Sequence, residues 1–289
     1  MYRIAALLIA LPFACVTVAR ADQVRVVAGE NFYGDLAEQI GGDHVKVVSI
    51  LNSPDEDPHL FEASAATARA IADADVVIYN GADYDPWMVK LMSASPRPHR
   101  DVIEVARVVG RKAGDNPHLW YDPATLPAAA SALATRLSRR DPADRDDFAR
   151  RLSAFEADWK AVTDKVASLR KKFAGTPVTA TEPVFGYMAE AIGLEMRNEA
   201  FQLAVMNGTE PSAKQIAAFQ DDLRSRKVRM LIYNNQTRDP LTERLRKLAT
   251  DSGVAVVGVS ETAPASTHVQ DWMLAELNAL EAGLAEKAR

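Results

Sequence analysis

The stretch DPADRDDFARRLSAFEADWKAVTDKVASLRKKFAGTP, residues 141–177, decides how the rest of the chain is read. Within it Phe148, Leu152, Phe155, Trp159, Val162, Val166, Leu169 and Phe173 recur at spacings of 4, 3, 4, 3, 4, 3 and 4. That is the period of an α-helix, and it draws one unbroken apolar stripe down a single face. Asp141-Pro142 supplies an N-cap and a first-turn proline, and Gly175 with Pro177 supplies the stop. A helix of about 30 residues is roughly 45 Å long at 1.5 Å per residue. It can cross both halves of a molecule as a spine.

On each side of this segment short β-rich runs alternate with amphipathic helical stretches. VRVVAG (Val24 to Gly29), VKVVSIL (Val45 to Leu51) and VVIYNGA (Val76 to Ala82) read as strands before it. After it TPVTATE, VRMLIYN and VAVVGVSE read as strands, and a closing helix runs from about His268 to Lys287. Such alternation predicts α/β units with mainly parallel sheets. The expected fold is two α/β lobes joined by one long rigid helix. The expected division is a signal peptide over 1–21, a first lobe over 22–140, the spine over 141–175 and a second lobe over 176–289.

The N-terminus has a positive start at Met1-Tyr2-Arg3, an apolar run from Ile4 to Val18, and small residues in Ala19-Arg20-Ala21. These are the marks of a secretory signal cleaved after Ala21, which implies a periplasmic protein. The run is too short and wrongly flanked for a membrane span. Cys15, the sole cysteine, would leave with the signal; Pro12-Phe13-Ala14 before it is a poor match to a lipid-attachment site. The mature chain then has no disulfide and no thiolate for catalysis or metal binding. With 289 residues, 48% hydrophobic and 25% charged, the chain has the composition of a soluble globular protein. A net charge of -5 and the lack of a basic stripe interleaved with aromatics argue against nucleic acid as a partner.

Two of the five histidines sit in one five-residue pattern: DPHLF at Asp57 to Phe61 and NPHLW at Asn116 to Trp120. Each has a rigid Pro-His at a strand-to-helix junction, which suggests that His59 and His118 converge on one point. Asp55, Glu56, Asp57 and Glu62 give His59 the acidic approach a divalent cation prefers. Taken alone, His59 reads equally as an incidental residue beside a capping Asp57, and His118 as a histidine packed on Trp120 and Tyr121. Glu182 closes a strand directly before Pro183, where capping a helix is its competing role. Glu261 follows the last strand, where the competing reading is an exposed loop carboxylate. All four lie at or just beyond strand carboxyl ends, two in each lobe, where open α/β sheets bind ligands. Two imidazoles and two carboxylates make a closed donor set for Zn²⁺ or Mn²⁺. His44, His99 and His268 read as solvated.

The stretches PDEDPHLFEAS, NGADYDPWM, DNPHLWYDP and TEPVFGYMAEAIGL resemble the zinc- and manganese-binding solute-binding proteins of metal ABC transporters. The resemblance runs in order through nearly all of the mature chain. It implies two lobes on a stiff helix, little lobe movement, and one metal ion between them. It also implies delivery to a membrane permease driven by an ATPase, by a monomer. By position His59 and His118 match the metal histidines of the first lobe. Glu182 stands where zinc proteins of the family have histidine and manganese proteins have glutamate. Glu261 stands where an aspartate is usual, one methylene longer. In YNNQ, Tyr233 to Gln236, relatives often carry a glutamate after the strand. The His-rich acidic loop of many zinc members is missing. Deprotonated ligands are needed for binding, so affinity is expected to fall through the imidazole range.

Two other functions use the same residues. A periplasmic metallohydrolase would need an open coordination position, and no HExxH motif is present. A binding protein for a metal chelate or organic solute, or a surface adhesin, would not respond to the free ion.

Overall fold

The structure is a computed structural model that describes residues 23–54, 58–237 and 239–285, except the side chain of His59. The expected signal peptide, residues 1–21, lies outside the described residues. The chain runs β1 (Val24–Glu30), α1 (Asn31–Gly41), β2 (Val45–Leu51), α2 (Ala65–Asp73), β3 (Val76–Tyr79), α3 (Pro86–Ala94), β4 (Asp101–Glu104), α4 (Val105–Val108) and α5 (Thr125–Arg140). Next come α6 (Arg145–Phe173), β5 (Pro177–Ala180), α7 (Gly186–Ile192), β6 (Glu195–Arg197), α8 (Glu199–Met206) and α9 (Ala213–Arg224). The chain closes with β7 (Met230–Asn234), α10 (Pro240–Asp251), β8 (Ala255–Val259) and α11 (Val269–Ala285). The strands form two four-stranded sheets, ordered β2-β1-β3-β4 and β6-β5-β7-β8. Every pairing is parallel, as between β1 and β2 and between β7 and β8. The α/β alternation therefore produced the expected pair of lobes.

Residue alternation explains why these sheets are covered on both faces. Val26, Ala28, Val76 and Ile78 join the large core between the sheets and the spine. Their neighbours Val27, Val77 and Tyr79 point the other way, to Ile71 and Met88 under α2 and α3. In the second lobe Met230 and Ile232 face the large core, while Leu231 packs with Phe201, Phe219 and Leu245. A parallel strand buried on both sides needs apolar residues throughout, and these strands have them.

Helix α6 is the spine. Phe148, Phe155, Trp159, Val162, Val166 and Leu169 are buried along it, and Leu152 and Phe173 pack partly buried at the same core. The helix begins later than its capping signal suggests. Pro142–Asp144 forms a separate 3-10 turn, and Asp141 makes no side-chain capping bond. The stop is as expected: Gly175 takes a left-handed φ of +77° and donates its N–H to Gly193. The large core includes residues of both lobes, α5, α6 and α11. Hinge opening would have to tear apolar contacts rather than bend a linker.

Two short strands escaped the sequence reading. In β4 (DVIE) and β6 (EMR) charged residues flank too few apolar ones to show a period. Both lie at sheet edges and form by pairing with β3 and β5.

Candidate metal centre

In each lobe the second-to-third strand boundary, β1/β3 and β5/β7, is where connections leave the sheet in opposite directions. Crevices form at such switch points beyond the strand carboxyl ends. Glu182 follows β5, Asn234 ends β7 and Glu261 follows β8, so three polar side chains reach one crevice from the second lobe. His118 reaches it from the first lobe, just ahead of the 3-10 turn Leu119–Tyr121. All four are buried: His118 and Glu261 at 0%, Asn234 at 4% and Glu182 at 6% exposure.

The His118 imidazole is held on three sides. Tyr84 and Trp120 pack edge-on, with ring centroids 6.1 and 5.4 Å away. Its Nδ1 lies 2.7 Å from Asn116 Oδ1, which also accepts the His118 backbone N–H at 3.2 Å. The Asn116 amide is oriented by its other end, because Nδ2 donates to the Pro183 carbonyl of the other lobe at 2.8 Å. Nδ1 therefore carries a proton, and in the neutral ring this leaves the lone pair on Nε2. Nε2 is buried with no hydrogen-bond partner among the described residues. It sits 3.5 Å from Glu261 Oε2, too poorly placed for a bond. A buried imidazole nitrogen aimed at a carboxylate without a hydrogen bond is costly unless a cation joins them.

Neither competing role of the carboxylates is realised. Glu182 occupies the N-cap position of the turn Pro183–Phe185 but makes no side-chain capping bond. Its Oε2 accepts from Asn234 Nδ2 at 2.9 Å instead. Glu261 is fully buried, not an exposed loop residue. It accepts from Asn234 at 2.5 Å on Oε1 and from the Tyr84 hydroxyl at 2.9 Å on Oε2. Its backbone N–H donates to Gln236 Oε1 at 2.5 Å. The side chain of His59 lies outside the described residues; its backbone belongs to the turn Pro58–Leu60.

Tyr84 reaches across the lobes from a tight turn. Gly81, Ala82 and Asp83 all have positive φ, which is strained for the two non-glycine residues. Asp85 holds the turn by accepting from Asn80 N at 2.7 Å and Gly81 N at 2.8 Å. Glu30 lies buried beside Asp85. Burial first, then the neighbouring carboxylate, pushes Glu30 well above the usual carboxylate range, and burial lifts Asp85 to about 6. Burial and then the Glu261 carboxylate raise Tyr84, so its hydroxyl stays a donor.

Sequence reasoning missed these supporting groups. Asn116 is the first letter of the second pentapeptide, and its polar character there was the available signal. Tyr84 and Asn234 lie in NGADYDPWM and YNNQ, stretches that the family resemblance marked, but their roles were not readable there because their partners come from the other lobe and from another strand. Of the remaining histidines, His99 and His268 are exposed, as their sequence surroundings suggest, and His44 is half-buried. His268 pairs with Asp35 of the first lobe at 2.7 Å, and Asp35 also caps Val269 N at 2.8 Å. His44, Asp141 and Asp144 form the one triple among the described residues whose ligand atoms all lie within 4.8 Å of one another. His118, Glu182 and Glu261 are spread wider. Both His44 nitrogens face carboxylates, Asp144 at 3.1 Å and Asp147 at 3.2 Å, and Asp147 also takes Arg150 and Arg151. That triple is an ion-pair knot at the start of the spine rather than an open donor set.

Two parallel α/β lobes joined by a long helix, with an imidazole and two carboxylates converging in the crevice between them, are the architecture of a two-lobed solute-binding receptor. The chain belongs to the family described as zinc-uptake complex component A, periplasmic, which matches residues 26–283. It is 25% identical over 241 residues to the metal ABC transporter substrate-binding lipoprotein ScbA of Streptococcus cristatus, covering 77% of this chain and 76% of that one. It is 25% identical over 243 residues to the manganese ABC transporter substrate-binding lipoprotein PsaA of Streptococcus mitis, covering 76% and 75%. The fold matches that of the periplasmic zinc-binding protein TroA from Treponema pallidum. The TM-score is 0.77 at 20% identity, over 91% of this chain and all of that one. The curated relatives named here are transporter substrate-binding proteins, not enzymes.

Proposed function

We propose that the protein captures one divalent metal ion, Zn²⁺ or Mn²⁺, in the crevice between its lobes and hands it to the permease of an ABC transporter. Residues 1–21 would direct it to the periplasm, where it works as a monomer. The donors are His118, Glu182 and Glu261, with His59 as the fourth by its place in the twin pentapeptide. The observation that supports this reading is the His118 Nε2 atom, buried, without a hydrogen-bond partner among the described residues and 3.5 Å from Glu261 Oε2. A cation between them would satisfy both.

Two neutral imidazoles and two carboxylates leave a doubly charged ion with no net charge, which suits burial. Carboxylate oxygens favour Mn²⁺ and imidazoles favour Zn²⁺, while the Irving–Williams order places Zn²⁺ above Mn²⁺ at the same donors. Zinc is therefore expected to bind tighter in the test tube even where manganese is the cargo. Metal content of the protein taken directly from its own compartment reports the cargo.

The test is titration of chelator-stripped protein with Zn²⁺ and Mn²⁺. One equivalent should bind, and the melting temperature should rise with metal concentration. H118A, E182Q and E261Q should each lose the ion. A variant set that keeps the ion but loses a hydrolytic activity would instead point to a metallohydrolase. Stabilisation by a chelate and not by the free ion would point to a chelate receptor.

A further inference from the structure

Asn234 ends β7, and its side chain bonds both carboxylates. Its Nδ2 lies 2.9 Å from Glu182 Oε2, 2.5 Å from Glu261 Oε1 and 2.9 Å from Thr237 Oγ1. Its Oδ1 accepts the Gln236 backbone N–H at 3.0 Å. That last bond fixes the amide's orientation, since the oxygen must face Gln236 and the nitrogen must face the carboxylates. An NH₂ group has two protons, and charged acceptors outcompete a hydroxyl for them. One amide thus spends both protons on two carboxylates that arrive from different strands.

Two buried carboxylates that converge repel each other, and something must hold them together. Lysine or arginine would do so more strongly but would occupy the place of a cation. An amide holds both without adding charge. Gln236 extends the brace by accepting the backbone N–H of Glu261 at 2.5 Å and of Thr262 at 3.2 Å.

We propose that Asn234 is the positioning residue of this centre, tying Glu182 and Glu261 into the separation and orientation from which both can grasp one ion. The proposal rests on the reading of those two carboxylates as metal donors. Outer groups that orient ligands are worth 10–100-fold in metal affinity when removed.

The experiment uses the full mature chain with N234A and N234L, the second filling the volume the amide leaves. Mn²⁺ and Zn²⁺ affinities are measured by chelator competition, and the visible absorption spectrum of bound Co²⁺ reports coordination geometry. Both variants should bind Mn²⁺ and Zn²⁺ roughly 10–100-fold more weakly, with Co²⁺ bands shifted from those of the unaltered protein. A side chain that mattered only to folding would lower the melting temperature and leave the Co²⁺ bands in place. Unchanged affinity and bands in either folded variant would overturn the proposal. E182Q and E261Q run alongside. If they lose metal while N234L does not, the positioning role alone fails; if they keep it, the donor assignment fails.

Discussion

Glu276 of α11 stands directly behind the end of β8, and its protonation should be readable in stability. Its Oε1 accepts from Ser260 N at 3.0 Å, Ser260 Oγ at 3.2 Å and Trp272 Nε1 at 3.0 Å. Its Oε2 lies 2.5 Å from the Tyr121 hydroxyl. That hydroxyl has one proton, and the Ser260 carbonyl 2.7 Å away needs it. Both contacts are met when Glu276 itself carries a proton on Oε2 and donates it to Tyr121. Burial, the largest influence, accordingly raises its pKa from 4.5 to about 7. A carboxyl raised in the folded state stabilises fully below its unfolded value, and that contribution is lost as pH climbs toward the folded one. The rise corresponds to about 3 kcal/mol at 1.36 kcal/mol per unit. The residue is partly exposed, and solvent screening reduces the expected figure to about 2 kcal/mol. E276Q mimics the neutral acid, since an amide nitrogen can donate to Tyr121 while the oxygen keeps its three donors. In metal-free protein E276Q should match the parent at about pH 4 and exceed it by about 2 kcal/mol at pH 8, most of the gain arising below pH 7. In a thermal melt this is roughly 4–8 °C for a chain of this size. Glu30 and Asp85 titrate in both proteins and cancel in the difference. An E276Q-minus-parent difference that is the same at about pH 4 and pH 8 would refute the reasoning.

Three other outcomes follow from the geometry. N116A removes the acceptor that fixes the His118 tautomer, and should weaken metal binding roughly 10–100-fold by chelator competition; undiminished affinity would show that the ring is oriented by its aromatic neighbours. W159A deletes a buried spine side chain that stacks on Phe155 and donates to the Pro123 carbonyl at 2.9 Å, and should cost about 3–5 kcal/mol in urea unfolding. A loss under about 1 kcal/mol would mean the spine is not anchored there. Because one core spans both lobes and the spine, small-angle scattering should show nearly the same radius of gyration with and without metal; a marked compaction would mean that the lobes hinge.

The architecture was legible because its causes are local. The spine declared itself through eight apolar residues at helical spacing, and the lobes through strands apolar enough to be buried on both faces. The edges were not legible: β4 and β6 exist because β3 and β5 offer them a partner. The site divided the same way. His118, Glu182 and Glu261 could be found because each follows a recognisable strand or sits in a repeated pentapeptide. The stretches holding Asn234 and Tyr84 stood out only by resemblance and their roles were hidden, since Asn234 is defined by two carboxylates 52 and 27 residues away and Tyr84 by one 177 residues away. The role of Asn116 required knowing that Pro183 of the other lobe would orient its amide.

Anomalous X-ray diffraction tests the central claim most directly, on crystals of chelator-stripped protein given one equivalent of Mn²⁺. One strong peak is expected between the lobes, within about 2.0–2.3 Å of His118 Nε2 and of oxygens from Glu182 and Glu261. A peak at the His44 knot with none beside His118, or no peak at all, would contradict the account.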